Sequence, residues 1–216
     1  EAGLFVPPRP ALAHERVRYV GDQVAFVVAD SKENAEMAAE QVVIKYEELP
    51  AVVDGYAALQ GGAPQLWEDA PGNLIFRFPK GDKIARDAAF ANAKHVVELD
   101  IVNNKISAAP MEPRAGIGEY DEAHDTYKLT CSAQGLHGIR GPLASNILNV
   151  SEDKLEIIAP DVGGGFGLKN FVYPEWVLLL WAARKLGRPV KWTGDRGEEF
   201  AAATQGRGIR AQARLA

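Results

Sequence analysis

Residues 159–175 read APDVGGGFGLKNFVYPE, in which four of the five residues 163–167 are glycine. A short β-type run, DKLEIIAP, leads into the glycines, and a strongly apolar segment follows Pro174, a residue that suits the first turn of a helix. The loop glycines are Gly163, Gly164, Gly165 and Gly167. Because glycine has no side chain and tolerates positive φ, the peptide N–H groups around Phe166 are open to a ligand. The order strand, glycine loop, helix therefore predicts an anion cradle, with a glycine hairpin packed on a neighbouring strand as the alternative.

The glycine loop does not match the two common nucleotide-binding signatures. No glycine falls at the third place of G-x-G-x-x-G, and Lys169 is followed by Asn170 where a P-loop needs serine or threonine. We therefore expect a loop other than an ordinary mononucleotide or dinucleotide loop.

The first third of the chain has the pattern of a small α/β unit. The stretch RVRYVGDQVAFVVA predicts two strands that turn at Gly21-Asp22. A helix follows in DSKENAEMAAEQVV, where Asp30 and Glu33 have capping-box spacing, and VIKYEELPAVVD is again extended. The stretch LQGGAPQLWEDAPGN has the composition of an irregular connector and predicts a domain boundary.

The rest of the chain is also mixed, which predicts an α/β (mixed α+β) fold class. DAAFANAKHVVELDIVNN predicts a helix that runs into a strand, and AGIGEYDEAHDTYKLTCSA predicts two strands around a turn at residues 122–125. GLHGIRGPLASNILNV predicts a helix begun by Gly141-Pro142. After the loop we expect a helix from Pro174 that stops at Gly187, then a strand in RPVKW and a helix in GEEFAAAT.

Composition excludes several classes of protein. The net charge is −5, from 24 basic and 29 acidic residues, and no basic block indicates a nucleic-acid binder. The single cysteine, Cys131, excludes an internal disulfide, and the four histidines lack metal-ligand spacing. The longest apolar run, residues 176–183, is too short to span a bilayer. The opening EAGLFVPPRPAL is neither a signal peptide nor a natural start, which predicts a piece of a longer polypeptide.

Three polar residues stand out before the glycine loop. Glu112 and Arg114 flank a proline in an apolar stretch, so they must either pair with each other or be solvated. A structural Arg–carboxylate pair is one interpretation, and a substrate contact is the other. Gln134 falls between a predicted strand and a predicted helix, where its amide either donates to a ligand oxygen or serves as a surface or capping residue.

Taken together, three stretches resemble one family. PMEPRAGIGEYD, SAQGLHGIRGPLA and the run from GGGFG to GDRGEEF resemble, in this order, the molybdenum-binding large subunit of the xanthine dehydrogenase and aldehyde oxidase family. The nearest pattern is that of aerobic carbon monoxide dehydrogenase large chains and their relatives. The resemblance implies the later part of an α/β hammerhead domain in residues 1–60, a connector in residues 61–80, and the first part of a molybdenum cofactor-binding domain in residues 81–216.

The resemblance also implies site residues. The GGGFG loop would lie against a molybdenum–pterin cofactor, and Gln134 would hydrogen-bond an oxo ligand of the metal. The expected cofactor-binding residues are Gln134, Gly165, Phe166 and Gly167. Molybdenum would be held by the dithiolene sulfurs of the pterin, so no protein side chain is expected to ligate it. The cofactor is expected to be molybdopterin in its cytosine dinucleotide form.

The implied reaction is hydroxylation of a small molecule, such as carbon monoxide, an aldehyde or an N-heterocycle, with water as the oxygen source. The family's base glutamate lies downstream of residue 216, so no catalytic residue is expected here and the chain alone would be inactive. The glutamates excluded as that base are Glu112, Glu175, Glu198 and Glu199. The alternative function is a metal-free paralogue that serves as an assembly or binding scaffold.

Iron–sulfur clusters and FAD are expected on partner subunits or domains, in a dimer of heterotrimers. The expected location is the cytoplasm, with association at the inner face of the membrane left open, and neither nucleic acid nor a membrane span is expected. A carbon monoxide substrate would require a copper-binding cysteine on a downstream loop, because Cys131 lies in a predicted strand beside Gln134. Gln205-Gly206-Arg207 departs from the histidine that many relatives show before this arginine, which leaves the substrate class open.

Overall fold

The computed structural model describes residues 4–216. In chain order, its helices and strands are α1 (Lys32–Ala39), α2 (Lys83–Asn92), β1 (Val97–Ile106), β2 (Ala115–Asp121), β3 (Thr126–Cys131), α3 (Leu136–Gly141), β4 (Leu155–Ile158), α4 (Pro174–Leu186), β5 (Val190–Thr193), α5 (Arg196–Ala202) and β6 (Gly206–Leu215). A π-helical turn, Pro142–Leu148, continues α3, and short 3₁₀ turns occupy Ala57–Leu59, Pro71–Asn73 and Glu152–Lys154. The mixed α/β class predicted from the sequence is confirmed.

The described chain divides into two compact units. The first contains the described residues up to Pro8, Tyr46–Ile106 and Gly206–Ala216, and the second contains Arg9–Lys45 and Ser107–Gln205. The predicted domain division at residues 1–60, 61–80 and 81–216 stays a prediction.

The first unit is built on a two-stranded ribbon. Strands β1 and β6 pair antiparallel, with Val97 opposite Leu215 at one end and Ile106 opposite Gly206 at the other. Every residue of both strands is exposed, and the Arg210 guanidinium lies 2.7 Å from Asp100 across the ribbon. Strand β1 and helix α2 agree with the prediction, whereas β6 was not predicted.

The second unit holds the core and a four-stranded sheet in the order β4-β3-β2-β5. Strand β2 pairs antiparallel with β3 and β5, and β3 pairs parallel with β4. Helix α4 packs on β2 so closely that a Cβ on Gly118 would lie 2.5 Å from the Leu179 carbonyl carbon. Strand residues Tyr127 and Leu129 and helix residue Trp176 fill the interior between sheet and helix.

Helix α4 has the ends that the sequence predicts. Pro174 occupies its first turn, where the missing N–H costs no hydrogen bond, and Gly187 ends it in the left-handed conformation with φ of 62°. Seven of its residues are buried, which makes it the central helix of this unit. The glycine loop therefore leads, through residues 170–173, into a helix with many buried residues.

Three local predictions were wrong. Residues 17–29 were predicted as two strands but contain no strand, because no neighbouring segment of the described chain supplies a ladder of backbone partners. The extended conformation predicted for VIKYEELPAVVD stays a prediction. The chain does turn near Gly21, where the Asp22 N–H donates to the Tyr19 carbonyl. Helix α1 is capped by Ser31, whose hydroxyl accepts from the Asn34 N–H at 3.1 Å, rather than by Asp30.

The third wrong prediction concerns the start of the helix after Gln134. Helix α3 begins at Leu136, well before Gly141-Pro142. Because Pro142 has no N–H to continue the regular hydrogen bonds, the chain goes on as the wider π-helical turn. This start places the first turn of α3 directly after Gln134.

Candidate functional site

Three chain segments meet at one place in the second unit, and we call them the proline segment (residues 110–114), the glutamine segment (residues 132–135) and the glycine loop (residues 163–169). The Glu112 N–H donates to the Gly163 carbonyl at 3.2 Å, which joins the proline segment to the loop. The Gln134 N–H donates to the Lys169 carbonyl at 2.9 Å, which joins the glutamine segment to the loop. The segments that the sequence singles out are thus adjacent in space.

The glycine loop closes on a tight turn at Phe166. The Leu168 N–H donates to the Gly165 carbonyl at 2.9 Å, and both central residues, Phe166 and Gly167, have positive φ of 51° and 86°. This is the arrangement of a type I′ turn. Phenylalanine in the left-handed region costs about 1–2 kcal/mol, yet Phe166 gains little burial in return because the residue is 77% exposed. Such a strained residue with an exposed ring is typical of a functional site.

Gln134 lies against this turn. Its Oε1 accepts the Gly167 N–H at 3.0 Å. A Cβ on Gly165 would lie 2.3 Å from both Cδ and Oε1 of Gln134, so any larger residue at that position would have to displace the Gln134 side chain. The described residues provide no hydrogen-bond acceptor for the Gln134 Nε2, and the amide therefore keeps its donor capacity for a ligand.

The backbone beside Gln134 also has unused donors. In the part of the chain that the structure describes, no acceptor contacts the N–H groups of Gly164, Gly165 or Phe166, whereas those of Gly163, Gly167 and Leu168 are all bonded. Successive unpaired N–H groups form a concavity that favours negative charge. The arrangement fits an anionic ligand oxygen, such as the oxo group of a metal cofactor.

Glu112 and Arg114 do not pair with each other, which corrects one of the interpretations of the sequence. The Glu112 carboxylate lies 2.7 Å from the ammonium of Lys169, whose side chain is completely buried. The same oxygen, Oε2, accepts the Gly163 N–H at 2.8 Å. The proline between Glu112 and Arg114 separates two residues that belong to different ion pairs.

Arg114 instead holds two buried carboxylates. Its guanidinium lies 3.0 Å from Glu175 at the start of α4 and 3.0 Å from Glu199 in α5, and it stacks on the Tyr173 ring at 3.8 Å. Burial alone lowers the pKa of Arg114, but the charges of Glu175 and Glu199 outweigh it, so the pKa is raised. These glutamates are structural partners of the arginine, and sequence analysis did not predict the pairing.

Two further titratable groups lie near these segments. Burial, followed by the charges of Glu175 and Asp195, raises the pKa of Glu198 above its ordinary value. Burial also raises the pKa of the Cys131 thiol to about 12, so this cysteine is an unreactive core residue at neutral pH.

Residues 4–216 lack two other kinds of feature. No group of three or more His, Cys, Asp or Glu side chains there is arranged around a common metal position. None of the helices in this range combines the length and the apolar character that a bilayer span needs.

Comparison with known proteins decides the family. Residues 66–216 match the molybdopterin cofactor-binding domain, and residues 3–50 match the a/b hammerhead domain of aldehyde oxidase and xanthine dehydrogenase. The chain belongs to the xanthine dehydrogenase and aldehyde oxidase family. The resemblance drawn from the sequence motifs is confirmed.

Individual relatives agree with the family assignment. This family member is 36% identical over 201 residues to the carbon monoxide dehydrogenase large chain of Hydrogenophaga pseudoflava, covering 88% of the chain and 25% of the relative. It is 40% identical over 195 residues to the nicotine 6-hydroxylase large subunit of Paenarthrobacter nicotinovorans, covering 89% of the chain and 23% of the relative. The chain thus spans about a quarter of the length of these curated relatives.

A solved structure shows the same fold. Quinoline 2-oxidoreductase from Pseudomonas putida 86 superposes with a TM-score of 0.91 at 36% identity, covering 100% of this chain and 27% of that one. The fold of the chain is therefore that of the matching part of this oxidoreductase. The cofactor-binding roles of Gln134, Gly165, Phe166 and Gly167 stay predictions.

Proposed function

We propose that this chain is part of the large subunit of a molybdenum hydroxylase and supplies hydrogen-bond donors to the molybdenum–molybdopterin cofactor. One observation carries the proposal: the N–H groups of three successive residues, 164–166, lack an acceptor and stand beside the amide of Gln134. The family match to a molybdopterin cofactor-binding domain supports it.

Each predicted site residue has a physical task in this proposal. The Nε2 of Gln134 and the backbone of Gly165 and Phe166 donate to a negatively charged ligand oxygen. Donors that are fixed before the ligand arrives stabilise charge without reorganisation. Gly165 allows Gln134 to approach, and the turn at Phe166 and Gly167 holds the N–H groups in place.

When bound, the cofactor supplies oxidative hydroxylation with oxygen from water, and its dithiolene sulfurs hold the metal. The residues of this chain bind and orient the cofactor. The base that accepts the substrate proton lies outside residues 1–216. Glu175 and Glu199 are unsuited to that task because the Arg114 guanidinium already engages both of them. The chain alone is therefore inactive.

The substrate class is a small molecule such as carbon monoxide, an aldehyde or an N-heterocycle. Relatives named for carbon monoxide, nicotine and aldehyde oxidation support this range. We further propose that the cofactor is the cytosine dinucleotide form of molybdopterin. The full-length protein would assemble with iron–sulfur and FAD subunits into a dimer of heterotrimers, and it would be located in the cytoplasm. A relative that is the gamma subunit of a dehydrogenase complex supports the expectation of partner subunits.

The test is elemental analysis of the full-length parent purified with its partner subunits, followed by assays with carbon monoxide, an aldehyde and quinoline. We expect molybdenum near one per large subunit and turnover of at least one substrate, with copper accompanying carbon monoxide oxidation. A well-folded complex with neither metal nor activity would contradict the proposal and favour the metal-free scaffold.

A further inference from the structure

Lys169 contacts every segment of the candidate site. It belongs to the glycine loop, its carbonyl accepts the Gln134 N–H at 2.9 Å, and its ammonium lies 2.7 Å from Glu112. One residue therefore connects the glycine loop with the glutamine segment and the proline segment.

A single carboxylate oxygen of Glu112 accepts hydrogen bonds from both ends of the glycine loop. Its Oε2 accepts the Gly163 N–H at 2.8 Å, at the start of the loop, and the Lys169 ammonium at 2.7 Å, at its end. The unpaired donors, residues 164–166, lie between these two anchors. Fixing both ends of so short a segment limits how far the donors between them can move.

Lys169 and Glu112 differ in solvent exposure, so loss of one partner has a different effect from loss of the other. The Lys169 side chain is completely buried, whereas that of Glu112 is 32% exposed. A buried ammonium that lost its carboxylate would be left without water or a counter-charge, which is energetically costly. Lys169 therefore stays bound to Glu112. Glu112 without its lysine can still be solvated on its open side and would keep its bond to Gly163.

We propose that Glu112 and Lys169 are positioning residues, which hold the loop donors at the distance that the cofactor oxygen requires. This inference rests on the proposed function, because it concerns the same loop. The Glu112–Lys169 ion pair would then affect the rate of the reaction as well as the stability of the fold, although neither residue donates to the cofactor oxygen. A misplacement of about 1 Å in a catalytic group can lower a rate by about 100-fold.

The experiment compares Glu112→Gln, Lys169→Met and the double variant in the full-length parent with its partner subunits. Glu112→Gln keeps an acceptor for Gly163 but removes the charge, and the double variant removes the isolated buried ammonium. The matched control is Glu119→Gln, which breaks the half-exposed pair with Lys128 at 3.5 Å between strands β2 and β3. Four quantities are measured: molybdenum content, kcat and KM per molybdenum, thermal stability, and hydrogen exchange of the peptide that spans residues 160–170.

We expect kcat per molybdenum to fall about 10- to 100-fold in both single variants with little change in KM, and loop exchange to accelerate. The double variant should regain stability relative to Glu112→Gln, in which the Lys169 ammonium stays buried without a carboxylate, but it should not regain kcat, because the loop still lacks its anchor. If kcat recovers together with stability, or if the single variants keep the kcat of the control, the positioning role is wrong.

Failure of the proposed function has a different signature. If the wild-type parent contains no molybdenum, the proposed function fails, but the exchange of residues 160–170 still reports whether the ion pair anchors the loop. If hydrogen exchange of residues 160–170 were equal in the variants and the control, the proposal that the ion pair anchors the loop would be wrong as well.

Discussion

Gly165 and Gln134 are in direct contact: a Cβ placed on the glycine would lie 2.3 Å from Cδ and Oε1 of the glutamine side chain. The same glutamine oxygen accepts the Gly167 N–H at 3.0 Å. Glycine at this position thus lets the Gln134 side chain lie against the loop backbone.

Gly165→Ala should therefore displace Gln134 rather than unfold the protein, because the methyl group meets a side chain instead of the backbone. We expect activity per molybdenum in the full-length complex to fall more than the melting temperature does. Gly138→Ala is the matched control, since a Cβ at that position in α3 has no atom within 4 Å. Equal losses of activity and stability in Gly165→Ala would favour a glycine that only serves packing.

Phe166→Gly should separate backbone strain from the role of the ring. Glycine relieves the positive φ of 51°, so we expect thermal stability to stay unchanged or to rise by up to about 1 kcal/mol. Because Phe166 is 77% exposed, loss of its ring removes little core packing. Activity should nevertheless fall, as measured by kcat/KM in the assembled enzyme, and an unchanged kcat/KM would show that the ring is dispensable.

Arg114→Met should be the most destabilising of these substitutions. It leaves Glu175 and Glu199 buried without a cation, and breaking a buried ion pair by removing one partner costs about 3–5 kcal/mol. The measurement is chemical denaturation of the variant subunit. Arg86→Met, which breaks an exposed pair with Asp87, is the control and should cost at most about 1 kcal/mol.

Glu198→Gln should stabilise the protein at neutral pH. Burial and the charges of Glu175 and Asp195 raise the pKa of Glu198, so its ionised form is disfavoured in the folded state. Wild-type stability is therefore lost as the pH rises through the titration of this carboxyl, and the advantage of glutamine should shrink as the pH is lowered. Melting temperatures of both proteins between pH 5 and 8 check this, and a difference independent of pH would contradict it.

Local sequence signals predicted the elements whose residues are close together in the chain. The ends of α4 follow from Pro174 and Gly187, and the hairpin of β2 and β3 follows from alternating residues around a short turn. Strand β6 was missed because its partner β1 lies about 100 residues earlier, and no local pattern reports such a pairing. The strands predicted in residues 17–29 failed for the related reason that a strand needs a partner.

The same limit applies to the ion pairs of the site. Glu112 and Arg114 were considered as a pair because they are near in sequence, but Glu112 binds a lysine 57 residues away. Arg114 binds glutamates 61 and 85 residues away. The positions of Gln134 and the glycine loop could be inferred from motifs, whereas the network that supports them depends on tertiary contacts.

The most direct test of the account is the turnover per molybdenum of Gln134→Glu in the full-length enzyme with its partner subunits. Glutamate keeps an oxygen for the Gly167 N–H but replaces the Nε2 donor with a negative charge. We predict that molybdenum is retained while kcat falls by about 10²–10³-fold, the usual cost of losing one such donor. Exposed Gln41→Glu controls for the added charge and should leave kcat unchanged. If Gln134→Glu also turns over at the wild-type rate, the amide does not face the reacting oxygen, and the central claim is wrong.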